Sequence, residues 1–197
     1  MENASGDPAA PPRRCRDTRE RRALLERAFA LGIPCDHGRI RKLRMQREPA
    51  RLVAIGTDIH GRTQWLQPRA ARALARMRKA AASDGVELQI VSAFRSIEYQ
   101  LAIIERKRAR GLSIDEILRV SAAPGYSEHH SGRCVDFTAP GFEALEEGFE
   151  RSLAFAWLQR NASRFGFTLS YPRGNVHGIA YEPWHWCWHP TNPPRKA

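Results

Sequence analysis

The sequence predicts an α+β domain in which helices and a few short strands follow one another irregularly. Three observations predict it: apolar residues recur at helical spacing in several stretches, period-two runs bounded by turn residues lie between them, and no internal repeat or regular βαβ alternation joins them. A chain of 197 residues with 42% hydrophobic composition is long enough for one good core and too short for two. A single domain is therefore expected over residues 21–197, behind a flexible basic arm at 1–20.

The first helix is expected over 19–31, "RERRALLERAFAL", where Leu24, Leu25, Ala28 and Leu31 share helical spacing and Gly32-Ile33-Pro34 ends the run. A second is expected over 67–83, with Pro68 near its start and "SDG" at its end. "VELQIVSAF" alternates Val86, Leu88 and Ile90 and predicts a strand, followed by a helix through "RSIEYQLAIIERKRARG". "SIDEILRV" places Glu116 three residues after Ser113, the spacing of a capping box. "CVDFT" predicts a short strand, and "FEALEEGFERSLAFAWLQRNASRFG" a mostly helical segment that Gly148 divides. "FTLSY" and "IAYEPWHWCW" predict two more strands joined by the turn-rich "PRGNVHG".

The formal net charge is +11, with a pI near 10.4, which calls for an anionic partner or surface. Much of the excess lies in "RRCRDTRERR" and "RIRKLRMQR", with no RNA-binding, zinc-finger or helix-turn-helix pattern beside it. Loose association with a polyanion is expected, and specific nucleic-acid binding is not. No apolar run approaches the roughly 20 residues needed to span a bilayer, so no transmembrane segment is expected. The N-terminus lacks an apolar signal core, so the chain as written reads as cytoplasmic. Cys15, Cys35, Cys134 and Cys187 are widely spaced with no C-x-x-C pair, so a disulfide framework is not expected.

Two stretches carry chemistry. "SEHHSGRCVDF" sets His129 and Asp136 at the two ends of a loop entering a strand, and "EPWHW" supplies Glu182 and His185. Two imidazoles and one carboxylate make a three-ligand set for catalytic zinc, and the second carboxylate then suits a general base. Glu182 and His185 are three positions apart, so in a regular strand they face opposite sides, and Pro183 has to bend the backbone for both to reach one metal. Each stretch also has a plain alternative: a surface His–Asp pair for the first, an aromatic core strand with a hydrogen-bonded histidine for the second. Spacing alone leaves these readings open.

The order of the motifs resembles the zinc D-alanyl-D-alanine carboxypeptidases of the VanY type, within the LAS metallopeptidases that also include D-Ala-D-Ala dipeptidases and the hedgehog domain. Their pattern S-x-H, two residues, G-x-A-x-D is met by Ser127, His129, Gly132 and Asp136, and their E-P-W-H block by Glu182, Pro183, Trp184 and His185. An upstream S-x-R-S segment followed by Gln is matched by Ser92, Arg95, Ser96 and Gln100. "APGYSEHHSG" and "FGFTLSYPRG" look familial too, and the likeness covers roughly residues 65–188.

The resemblance implies a hedgehog/DD-peptidase-like fold, with a small, mostly antiparallel sheet and flanking helices. It implies that His129, Asp136 and His185 hold Zn(II), that Glu182 is general base and then acid, and that Arg95 meets the substrate carbonyl or terminal carboxylate. Ser127 and Gln100 are expected as cleft or supporting residues, Trp184 as cleft wall, Trp186 as core, and His130 as a support of the site or an exposed residue. Cys134 departs from the pattern, which has Ala there; packing is its expected role, and neither it nor Cys187 is expected as a ligand.

The implied activity is hydrolysis of the C-terminal peptide bond of peptidoglycan stem peptides ending in D-Ala-D-Ala, with the basic surface loosely associated with an anionic cell wall. The signal-less N-terminus is in tension with that substrate, unless the enzyme acts on cytoplasmic precursors, is exported by another route to periplasm or wall, or starts upstream. L,D-carboxypeptidase, D-Ala-D-Ala dipeptidase and endolysin-like endopeptidase keep the same metal residues and stay open. A non-catalytic zinc-binding module is expected to lack the base or the arginine, and both are present. A basic nucleic-acid-binding protein would use the arginine-rich N-terminal region.

Overall fold

The computed structural model describes residues 10–15 and 17–190. Helix α1 (Thr18–Ala30), capped by Asp17, and a short α2 (His37–Ile40) lead into a hairpin of β1 (Val53–Thr57) and β2 (Thr63–Leu66). There follow α3 (Pro68–Ser83), β3 (Gln89–Ser92), α4 (Ile97–Ala109), α5 (Ile114–Arg119), β4 (Cys134–Thr138), α6 (Leu153–Asn161), β5 (Phe167–Leu169) and β6 (His185–Trp188). The second sheet is antiparallel throughout, in the order β3-β4-β6-β5. Among the described residues, no helix is long and apolar enough to cross a membrane.

The sheet divides its faces by parity. Val135, Phe137, Trp186 and Trp188 point to one side and join a core built with Leu74 and Met77 of α3 and Phe155 and Leu158 of α6. Cys134 and Asp136 on β4, with His185 and Cys187 on β6, occupy the other side. A second apolar cluster, including Leu24, Ile97, Leu101, Ile104 and Ile117, unites α1, α4 and α5. A cleft is lined from both sides, by Arg95, Gln100 and Ala122 near α4 and α5, and by His129 and His185 at the sheet.

Several expectations change in detail. The strand predicted from Val86 is regular only over Gln89–Ser92, and the one predicted from Ile179 only over His185–Trp188, because Pro183 and Trp184 form a turn. The segment expected to be helical from Phe142 is turn and bend through 142–146 and a 3-10 turn over Glu147–Arg151 that runs through Gly148. It then breaks at Ser152, which is extended and caps α6 by accepting from Phe155 N at 3.0 Å. The capping box at Ser113 and Glu116 is present. Residues 1–9 of the expected arm lie outside the described residues. Of the rest, Arg13 pairs with Glu20 and Glu98, and Cys15 N donates to Glu48, so this part lies against the body. The β1–β2 hairpin, unforeseen in the sequence, supports the site. Gln64 of β2 accepts from Ala93 N at 3.0 Å, and Ile59 N donates to Ile90 O at 3.0 Å.

The absence of a disulfide framework also needs correction, since Cys134 and Cys187 form a disulfide. They are direct cross-strand partners, 4.0 Å apart at Cα, a proximity that linear spacing conceals. Cys15 and Cys35 are free.

The hairpin turn rests on buried Asp58, which accepts from His60 N, Arg62 N, Arg62 Nε and Gln64 Nε2. Burial by itself raises this carboxyl, but the backbone donors and Arg62 outweigh it and hold its pKa below the usual value. A depressed native pKa gives stability that is present above the unfolded-state value and lost as pH falls through the native one. Asp58→Ala should therefore cost about 1–3 kcal/mol in urea unfolding at neutral pH, with the gap to the native chain narrowing in acid.

Candidate metal centre

The turn before β4 aims two adjacent histidines in opposite directions. Residues Glu128–Ser131 form a single 3-10 turn, closed by Gly132 at φ 62°. A side chain at Gly132 would press on Gln67 N at 3.2 Å and Pro49 Cγ at 3.1 Å, so both conformation and space call for glycine. His129 Nδ1 donates to Ala93 O at 2.5 Å, and His130 Nδ1 donates to Arg95 O at 2.7 Å while its Nε2 accepts from Gly125 N at 3.1 Å. Arg95 N donates in return to His129 O at 3.4 Å. The segment Ala93–Arg95 and the histidine turn thus hold one another, and His130 is a buried support of Arg95, not an exposed residue. Burial keeps His130 neutral, its pKa lowered to about 3.

With Nδ1–H committed to Ala93, His129 presents a lone pair at Nε2, which is buried and has no hydrogen-bond partner. Burial, then the Arg95 charge, lowers its pKa to about 4. Asp136 Oδ2 stands 3.0 Å from this nitrogen, an acceptor facing an acceptor. Asp136 Oδ1 lies 2.8 Å from Nδ1 of His185, its direct cross-strand partner. Burial opposes ionisation of Asp136, yet its contacts with the paired imidazoles, the His185 Nδ1 hydrogen bond among them, hold its pKa far below the usual range. Two imidazoles and a charged carboxylate converge in a buried space where the His129 Nε2 lone pair has no partner, and a divalent cation suits that donor set. The residues present fit zinc.

His185 is held from its other edge by a residue the sequence reading passed over. Glu128 Oε2 sits 3.0 Å from His185 Nε2, so the ring can donate there and turn the Nδ1 lone pair toward Asp136 and His129. Burial favours protonation of Glu128, but the His185 contact keeps its pKa down at about 2. His185, with both nitrogens on carboxylates, is raised to about 10 against the effect of burial, so without a metal it carries the charge the cluster lacks. Tyr171, also passed over, stacks on the ring with centroids 5.0 Å apart. Glu128 lies inside the S-x-H motif, where its place between Ser127 and His129 was the available signal.

The bend demanded of Pro183 is present. His185 N donates to Glu182 O at 3.1 Å, closing a turn that leaves Glu182 Oε2 4.0 Å from His185 Nδ1. Burial raises Glu182 to about 7. Arg95 lines the same cleft with its buried Nε unpartnered, and Gln100 donates to Ala122 O at 2.8 Å while its buried Oε1 has no partner. Ser127 is buried along the cleft. Trp184, expected as cleft wall, is absent from the lining: it stands in the turn before β6 and packs, half-buried, against the apolar core. Trp186 is in that core, its Nε1 donating to Pro183 O at 2.9 Å.

Known proteins resemble this chain in sequence and fold. The profile of VanY, D-alanyl-D-alanine carboxypeptidase, matches residues 63–191. A D-alanyl-D-alanine carboxypeptidase of Enterococcus faecalis is 34% identical over 117 residues, covering 54% of this chain and 42% of that protein. The chain spans less than half the length of the curated relatives it matches first. The solved structure of the LdcB LD-carboxypeptidase is 32% identical with a TM-score of 0.65, over 72% of this chain and 69% of that one. That of the vancomycin resistance D,D-pentapeptidase VanY in complex with Zn(II) is 27% identical with a TM-score of 0.55, over 73% and 85%. With the family match spanning more than half of its residues and the donors of the separated motifs gathered in one cleft, this chain belongs to the VanY family of D-alanyl-D-alanine carboxypeptidases.

Proposed function

We propose that the chain is a zinc-dependent carboxypeptidase that removes the terminal residue from peptidoglycan stem peptides ending in D-Ala-D-Ala. The observation that carries this reading is the convergence on one cleft of a buried three-donor set, the half-buried carboxylate of Glu182 and an unpartnered guanidinium nitrogen. His129 Nε2, a carboxylate oxygen of Asp136 and His185 Nδ1 would hold the zinc. Lewis acidity toward a water and toward the scissile carbonyl is the chemistry supplied by zinc bound at this set.

The chain's own groups do the rest. Glu182, whose carboxylate lies 4.0 Å from His185 Nδ1, takes the proton of the attacking water and returns it to the leaving amine. Arg95 meets the free carboxylate of the peptide with its planar guanidinium, which ties the reaction to a chain end. Gln100 Oε1, buried and lacking a donor, accepts from a peptide N–H, while Nε2 of the same amide holds Ala122. Tyr171 forms the wall beside His185. Exposed Arg69, Arg72, Arg76 and Lys79 along α3 carry the loose, salt-sensitive association with an anionic wall polymer.

A second reading, L,D-carboxypeptidase, is favoured by the TM-score of 0.65 to the LdcB LD-carboxypeptidase. Both readings use the same residues and differ in the configuration of the residue before the scissile bond.

Mass spectrometry of products from the zinc-loaded protein separates them. Release of one D-Ala from a pentapeptide stem is expected, whereas cleavage of only the tetrapeptide stem would move the assignment to L,D specificity, and cleavage of neither would reject the proposal. Glu182→Ala should lower turnover about 10²–10⁴-fold with zinc still bound, and Arg95→Lys should lower kcat/KM roughly tenfold or more. Glu128→Gln, whose amide can donate to Nε2 and favour the wrong tautomer, should weaken zinc binding about 10–100-fold in a chelator competition.

A further inference from the structure

The zinc site uses one edge of the His185 ring, and a different set of donors gathers on the other. Cys134 and Cys187 are cross-strand partners, as are Asp136 and His185 two residues further along, so all four side chains leave the same face of the β4–β6 ladder. Glu128 approaches this block from the histidine turn. Its Oε2 lies 3.0 Å from His185 Nε2 and 3.2 Å from Cys187 Sγ, and Cys187 Sγ is 3.8 Å from the same Nε2. The four donors of Glu128, Cys134, His185 and Cys187 lie within 4.8 Å of one another. Three of these residues are buried and Glu128 is partly so. While the sulfurs are bonded to each other, the set is closed to a metal.

We propose that reduction of the Cys134–Cys187 disulfide opens a second metal site, built from the two sulfurs, Glu128 and His185 Nε2, that takes a thiophilic divalent cation and competes with the catalytic site for His185. Two sulfurs, one imidazole nitrogen and one carboxylate oxygen form a four-donor set of the kind that zinc, cadmium or cobalt accepts in tetrahedral geometry, and the sulfurs disfavour magnesium and calcium. Competition follows from the ring itself. A neutral imidazole has one nitrogen lone pair, so a cation on Nε2 leaves the hydrogen on Nδ1, where Asp136 Oδ1 at 2.8 Å accepts it. The zinc set of the proposed function, on which this inference rests, then loses its third donor. With a phosphine as reductant the balance is complete: the phosphine takes the oxygen of one water to become its oxide, that water's two hydrogens convert the S–S bond into two thiols, and metal binding releases two protons to solvent.

Cobalt(II) titration followed by electronic absorption tests this on the native chain in both redox states. The reduced protein should develop a thiolate-to-cobalt charge-transfer band that the oxidised protein lacks, and cadmium affinity should rise by roughly tenfold or more on reduction. Reduced His129→Ala, crippled only in the catalytic set, should keep the band, and reduced Cys134→Ala should lose it. No band in the reduced native chain, or a band that survives in a Cys134→Ala/Cys187→Ala variant, would overturn the proposal. Failure of the catalytic reading is recorded separately, as absence of cobalt binding to the oxidised native chain.

Discussion

The antiparallel pairing of β4 with β6, which sets Asp136 directly opposite His185, is the constraint on which the rest of the site depends. Parity then decides the remainder. Val135 and Trp186 are turned into the core formed with α3 and α6, and their burial fixes a register that a one-residue slip would invert. The same alternation that buries those side chains presents a carboxylate and an imidazole together to the cleft. The apolar packing of one face is therefore what aligns the polar chemistry of the other.

The third donor arrives by a different route. His129 belongs to a 3-10 turn, and its direction is set by Ala93 O at the end of β3, which the β1–β2 hairpin supports through Gln64. Its neighbour His130 faces the other way and holds the carbonyl of Arg95, so one dipeptide positions a donor and a guanidinium at once. Glu128 does the same for His185 from behind. The histidines and Asp136 are buried and most polar atoms here are spent on a neighbour; the His129 Nε2 lone pair left over faces Asp136 Oδ2 at 3.0 Å, where a cation turns mutual repulsion into coordination.

Much of this was legible in the chain. Motif residues that sit at turns or on the site face of β4 and β6 were identifiable because the chemistry constrains residue type, and the alternation of "CVDFT" and the caps at Ser113 and Glu116 constrain the local backbone. What escaped was set by distance in the fold. The β1–β2 hairpin has irregular register and largely exposed or half-buried residues, so it carries little hydrophobic pattern. The disulfide joins residues 53 positions apart, and only the ladder brings them together. Trp184 packs against the apolar core rather than lining the cleft, a packing that no pattern local to the turn at Pro183 and Trp184 carries. Tyr171 and Glu128 act on His185 across elements, which no local window contains.

The central claim is that the register of β4 and β6, with the turn that carries His129, builds a two-imidazole, one-carboxylate zinc site while the neighbouring sulfurs stay bonded to each other. Zinc K-edge X-ray absorption of the oxidised, zinc-loaded protein tests it most directly. The account predicts a shell of nitrogen and oxygen at about 2.0–2.2 Å with outer-shell scattering from two imidazoles. A sulfur scatterer at about 2.3 Å, or scattering from a single imidazole, would contradict it.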